Sequence, residues 1–138
     1  MTDKQYRSLA RYTAQIAKEL GLGHLTMSLD TAGPGEGPEG AQAAASWEGV
    51  YGRHRGVIQV SRDFDHFPPE HQRVYIVHEL LHAHTEQVRS LVRTSLAPVM
   101  GQAAYDVFMS AYTQADELAT DALAEAIAPS YPLWEGSH

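Results

Sequence analysis

Residues 68–82 read Pro-Pro-Glu-His-Gln-Arg-Val-Tyr-Ile-Val-His-Glu-Leu-Leu-His. Pro68 and Pro69 suit a first helical turn, where a missing N–H costs nothing. Val74, Val77, Leu81 and Val88 then fall on one stripe, which predicts a buried helix face. The same helix carries His78 and His82, with Glu79 beside the first. Residues four apart lie one above the other on a helix, so two imidazoles at this spacing can grip one ion. Glu79 is one step round the cylinder, beside the ion without ligating it, where it can take a proton from water. Zinc lowers the pKa of a water bound to it to about 7.

Before this helix the chain reads as one helix and a small sheet. Leu9, Tyr12, Ile16 and Leu20 recur at steps of three and four, a helical stripe that Gly21 and Gly23 end. Leu25, Met27 and Leu29 alternate with Thr26, Ser28 and Asp30, a half-buried strand. Residues 31–40 hold four Gly and two Pro and predict a flexible surface loop. Strands are expected at Ala45 to Tyr51 and, on β-branched content, at Gly56 to Ser61, with a turn at Gly52-Arg53-His54-Arg55. After Pro68 everything reads as helix. Pro98 and Gly101 interrupt it, and Thr113 with Asp116 three residues on looks like an N-cap that opens a last helix ended by Pro129. At least one further helix is expected between His82 and Glu117. The predicted fold is α+β: a three- or four-stranded, mainly antiparallel sheet with helices on one face. Residues 1–138 form one domain, and 130–138 are a C-terminal tail.

Composition narrows the function. Asp plus Glu is 17 against 10 Lys plus Arg, a net charge of −7. A chain this acidic repels a phosphate backbone, so neither nucleic acid nor an anionic membrane is an expected partner. Cysteine is absent, which excludes disulfide scaffolds, thiol nucleophiles and Cys-ligated metal. No stretch reaches the roughly 18 apolar residues of a membrane span, and Met1 to Leu20 lacks the apolar block of a signal peptide. A cytoplasmic protein is expected.

Catalytic zinc needs a third protein ligand. The pattern HExxHxxGxxH is excluded, because Thr85 and Val88 occupy the positions of its Gly and last His. The alternative is a carboxylate from another helix. In Asp116-Glu117-Leu118-Ala119-Thr120-Asp121, Glu117 and Asp121 share a helix face. One can ligate while the other accepts a hydrogen bond from a ligand His. Asp106, Asp116, Glu125 and Glu86 compete as ligand.

The pair of motifs resembles the gluzincin-type HExxH zinc metallopeptidases, whose second helix carries Asn-Glu-x-x-Ser-Asp. It looks most like the minimal single-domain gluzincins and the small phage and bacterial regulatory metallopeptidase domains. The resemblance runs from about Trp47 to Pro129. Thr120 stands in the Ser position and Asp116 in the Asn position. The resemblance implies a zincin-like fold and one zinc ion, with His78, His82 and Glu117 as its ligands, Asp121 as buttress to His78 and Glu79 as general base. It implies a zinc-dependent endopeptidase acting on a peptide or protein. The alternatives are a non-catalytic zinc-containing adaptor and an amide hydrolase with a non-peptide substrate.

Such a mechanism needs a donor for the oxyanion. Tyr112 is the first candidate, with Tyr105, Tyr131, His54 and His84 behind it, although His84 is expected to point into solvent. Gly56 to Ser61 is either an edge strand that pairs with an extended substrate or a core strand. The tail, with Tyr131 and Trp134, is expected to cap the core. A tail that covers the cleft and holds the enzyme latent is the sharper alternative.

Overall fold

The computed structural model describes residues 1–30, 45–50 and 55–136. The predicted loop at 31–40, most of the predicted turn with His54, and the last two residues lie outside them. Helix α1 spans Asp3–Glu19. Thr2 opens it with a capping box: its hydroxyl accepts from the Gln5 N–H and the Gln5 side chain accepts from the Thr2 N–H. The box satisfies two N–H groups that the helix itself cannot pair. Gly21, at φ +78°, closes the helix. Leu22 N–H bonds Ala17 carbonyl at 2.8 Å and Gly21 N–H bonds Lys18 carbonyl at 3.1 Å, the double bond of a left-handed helix end. Leu9, Tyr12 and Ile16 are buried, as their spacing predicts, while Leu20 at the end of the stripe is half-buried.

The three strands found among the described residues are β1 (Thr26–Asp30), β2 (Ala45–Val50) and β3 (Arg55–Val60), in the order β1-β3-β2. β3 pairs antiparallel with β2 and parallel with β1. The sheet is therefore mixed, not mainly antiparallel. β3 folds back from β2 and inserts between it and β1. This order also overturns the edge-strand reading of Gly56 to Ser61: β3 is the central strand, and β1 and β2 are the edges. Gly56, Ile58 and Val60 of β3 are buried while Val57 and Gln59 are half-buried, the alternation of a sheet with one covered face. A Cβ at Gly56 would lie 1.7 Å from the Trp47 ring, so the indole occupies the space that only glycine leaves open.

Helix α2 spans Pro69–Leu96. The buried Gln72 amide donates to the carbonyls of Phe64 and Phe67 at 3.0 and 2.8 Å, tying the helix to the short 3-10 turn Phe64–His66 before it. Ile76, Val77 and Leu80 are fully buried in one core with Leu9 and Ile16 of α1 and Ile58 and Val60 of β3. Val74 and Leu81 are half-buried, but Val88 is 56% exposed. The predicted stripe ends there because α2 outruns the sheet: Glu86 already lies against Gly49, near the end of β2.

Helix α3 runs unbroken over Gln102–Ile127, with Gly101 as N-cap. Thr113 is therefore an interior residue and opens no helix, and no further helix separates α2 from α3. Residues 102–127 contain neither Gly nor Pro, so nothing stops propagation through Thr113. The tail packs on α1. Trp134 is 3% exposed and its indole N–H donates to Ser8 at 3.0 Å. Tyr12 hydroxyl donates to Pro132 carbonyl at 2.8 Å. Arg73 of α2 donates to Tyr131 carbonyl at 2.9 Å. Among the described residues, no helix is long and apolar enough to cross a membrane.

Candidate metal centre

The helices α2 and α3 bring the two sequence motifs together. His78 meets Asp121 while Arg89, farther along α2, meets Asp116, earlier on α3, so the helices run antiparallel. The Nε2 atoms of His78 and His82 are 3.0 Å apart. The Glu117 carboxylate faces both rings, with Oε2 3.4 Å from His78 Nε2 and Oε1 3.4 Å from His82 Nε2. Among the described residues these three side chains offer ligand atoms that all lie within 4.8 Å of one another. Donors about 2.0–2.1 Å from one tetrahedral ion are about 3.3 Å apart, so the spacing of 3.0 and 3.4 Å fits a single small cation.

Each ring is backed by an acid on its far nitrogen. His78 Nδ1 donates to Asp121 Oδ1 at 2.9 Å, which turns Nε2 toward the cluster. His82 Nδ1 lies 3.6 Å from Asp116 Oδ2. Asp116 thus stands behind a ring, not among the ligand atoms. Of the other competing acids, Asp106 accepts from Gln102 at 2.7 Å, Glu86 packs on Gly49 and Glu125 is exposed.

Glu79 is buried beside the rings. Burial pushes its carboxyl above the usual range. The His78 and His82 rings oppose that shift, Glu117 adds to it, and a hydrogen bond from the Trp47 backbone N–H opposes it. The Glu117 carboxyl is held well below the usual range by its bonds to His78 and His82, against a smaller effect of burial. For His78 burial opposes the charged ring, but the bond to Glu117 and the charges of Glu79, Glu117 and Asp121 raise its pKa on balance.

Three participants escape the motif reading. Arg89 has a guanidinium nitrogen 3.4 Å from Asp116 Oδ2 and 3.8 Å from Glu117 Oε1. Its spacing of seven from His82 places it on the same face of α2, a signal present in the sequence. Asp116 at the side of His82 follows from the same helical geometry. The Trp47 N–H is a backbone group, so no residue pattern announces it.

The weaker candidates scatter. Tyr112 is half-buried on α3 and its ring stacks on Phe108 at 6.2 Å. His84 is exposed but bonds the Leu20 carbonyl at 2.9 Å, so it ties α2 to the end of α1. Tyr105 lies on α3, Tyr131 in the tail contact, and His54 outside the described residues. No family model matches the chain, and neither curated proteins nor solved structures give a match.

Proposed function

We propose that the protein is a zinc-dependent endopeptidase of zincin-like, gluzincin type. The observation that carries this reading is the meeting of His78 Nε2, His82 Nε2 and the Glu117 carboxylate, from two helices, beside the buried Glu79. Two imidazoles and one carboxylate at tetrahedral spacing suit zinc. When bound, zinc supplies Lewis acidity toward a carbonyl oxygen and acidifies water at neutral pH. The chain's own residues do the rest. Asp121 holds the His78 ring with Nε2 toward the cluster, and Asp116 stands 3.6 Å from the far nitrogen of His82. Glu79, raised by burial, accepts a proton from the attacking water and returns it to the departing amine. The Trp47 N–H keeps that carboxylate aimed.

The strand that pairs with an extended substrate is β2, an edge of the sheet, and not the central β3. β2 is the edge strand that touches Glu79, through Trp47. Because the Trp47 N–H points away from β3, alternation along a strand turns Ala45 and Gly49 outward too. An extended peptide pairs along that edge through backbone bonds. A cytoplasmic location belongs to the same reading.

The test is zinc content and an unbiased peptide-library digest, run on wild type and Glu79→Gln side by side. The expected result is one zinc per chain in both and a rate loss of at least ~10²-fold in the variant, the low end of a general-base contribution. Near-wild-type cleavage by Glu79→Gln removes its role as base. Zinc with no cleavage in either protein leaves the adaptor reading, and cleavage of non-peptide amides alone leaves the amide hydrolase.

A further inference from the structure

The outer face of α3 is apolar along its whole length. Ala104, Val107, Phe108, Ala111, Ala115, Leu118, Ala122 and Ala126 recur at helical steps on that face, and every one is exposed. Val107 is 73% exposed and Leu118 64%. The stripe is about 33 Å long at 1.5 Å per residue. It lies on the side of α3 away from Asp116 and Thr120. An exposed apolar stripe of this length is normally covered by a partner.

Charge along α3 indicates what covers it. The helix has no basic residue. Its first turn has no acid and its N-cap makes no side-chain hydrogen bond, so the positive end of the helix dipole is not complemented. Glu125 lies near the opposite end, beside the stripe, where a negative charge is unfavourable. Both mismatches are relieved by one arrangement, in which a second α3 lies antiparallel across the first. Glu125 of each copy then stands by the first turn of the other. The two copies of Glu125 stay about 30 Å apart, beyond the roughly 8–10 Å over which salt leaves charges coupled.

We propose that α3 packs antiparallel on the α3 of a second copy of this chain, about a two-fold axis at Ala115. Equal steps from that axis set Phe108 opposite Ala122, Ala111 opposite Ala119 and Ala104 opposite Ala126, so the largest side chain of the stripe meets a small one. The dimer leaves the metal centre open, because Asp116 and Glu117 are on the other side of the helix.

Sedimentation of the full chain from about 1 to about 100 µM tests this. The expected mass at the upper end is twice 15.2 kDa. Ala115→Arg puts two like charges on the axis and is expected to leave the monomer, with an unchanged circular dichroism spectrum. The chain has no cysteine, so single cysteines report the pairing directly. Ala115→Cys is expected to form a disulfide-linked dimer on mild oxidation, whereas Ala104→Cys, about 33 Å from its own copy, is not. A chain that remains monomeric throughout, a dimer that survives Ala115→Arg, or equal cross-linking of the two cysteine variants overturns the proposal.

Discussion

His78 Nδ1 donates to Asp121 Oδ1 at 2.9 Å, from one helix to the other. The bond fixes Nδ1 on Asp121 and so turns Nε2 toward Glu117. It also clamps α2 to α3 at the level of the cluster. Asp121 is two-thirds exposed, so the bond contributes little to folding and its value lies in aiming the ring.

Asp121→Asn is accordingly expected to weaken zinc binding by about 10–100-fold with little change in the unfolding midpoint of the metal-free chain. Competition with a chromophoric chelator measures the first and urea unfolding the second. Zinc is expected to raise the wild-type midpoint, since it binds the folded chain preferentially, and to raise that of the variant less. Unchanged affinity would separate Asp121 from the metal.

Arg89→Met leaves Asp116, whose side chain is 10% exposed, without its cation. A loss of about 1–3 kcal/mol in the metal-free protein is expected for a buried charge so stranded. Arg89→Met combined with Asp116→Asn is expected to lose less than the sum of the two. Additive losses in chemical denaturation would show that the two groups act independently.

Tyr12 responds to alkali. Burial pushes its phenol up to about 12 from the usual 10.0, with Arg73 pulling the other way. The unfolded chain gives up this proton first, so between about pH 10 and 12 the folded state holds the extra proton and stability falls as pH rises. Below pH 10 the contribution is fully present. Tyr12→Phe is expected to flatten that part of the curve while losing the bond to Pro132. A wild-type curve no steeper than the variant's in this window would contradict the assignment.

Trp134→Ala is expected to cost about 3–5 kcal/mol, the range for a buried aromatic truncated to a cavity. Removal of residues 131–138 is expected to destabilise the chain. Peptidase activity that rises after that truncation, with the midpoint unchanged, would instead support the latent-enzyme reading of the tail.

Much of this protein is legible in order along the chain. The stripe Leu9, Tyr12, Ile16 marks α1, alternation marks β1, β-branched content marks β3, and the four-residue spacing of His78 and His82 stacks two rings on one helix face. These are consequences of local periodicity, which needs only the backbone geometry of a single element. The acid pair Glu117 and Asp121 is visible for the same reason.

What lies between elements was decided elsewhere. The parallel pairing of β1 with β3 follows from a chain crossing that strand patterns do not encode, since a strand's alternation is the same whichever neighbour it takes. Thr113 has the chemistry of a cap, yet a cap forms only where the preceding residues are not helical, and 102–112 are. Whether Glu117 would meet His78 and His82, and whether Arg89 would reach Asp116, depended on the antiparallel docking of two long helices. Sequence alone determined which residues could share a helix face; tertiary packing determined which faces met, because contact between distant segments is set by how the core closes and not by spacing along the chain.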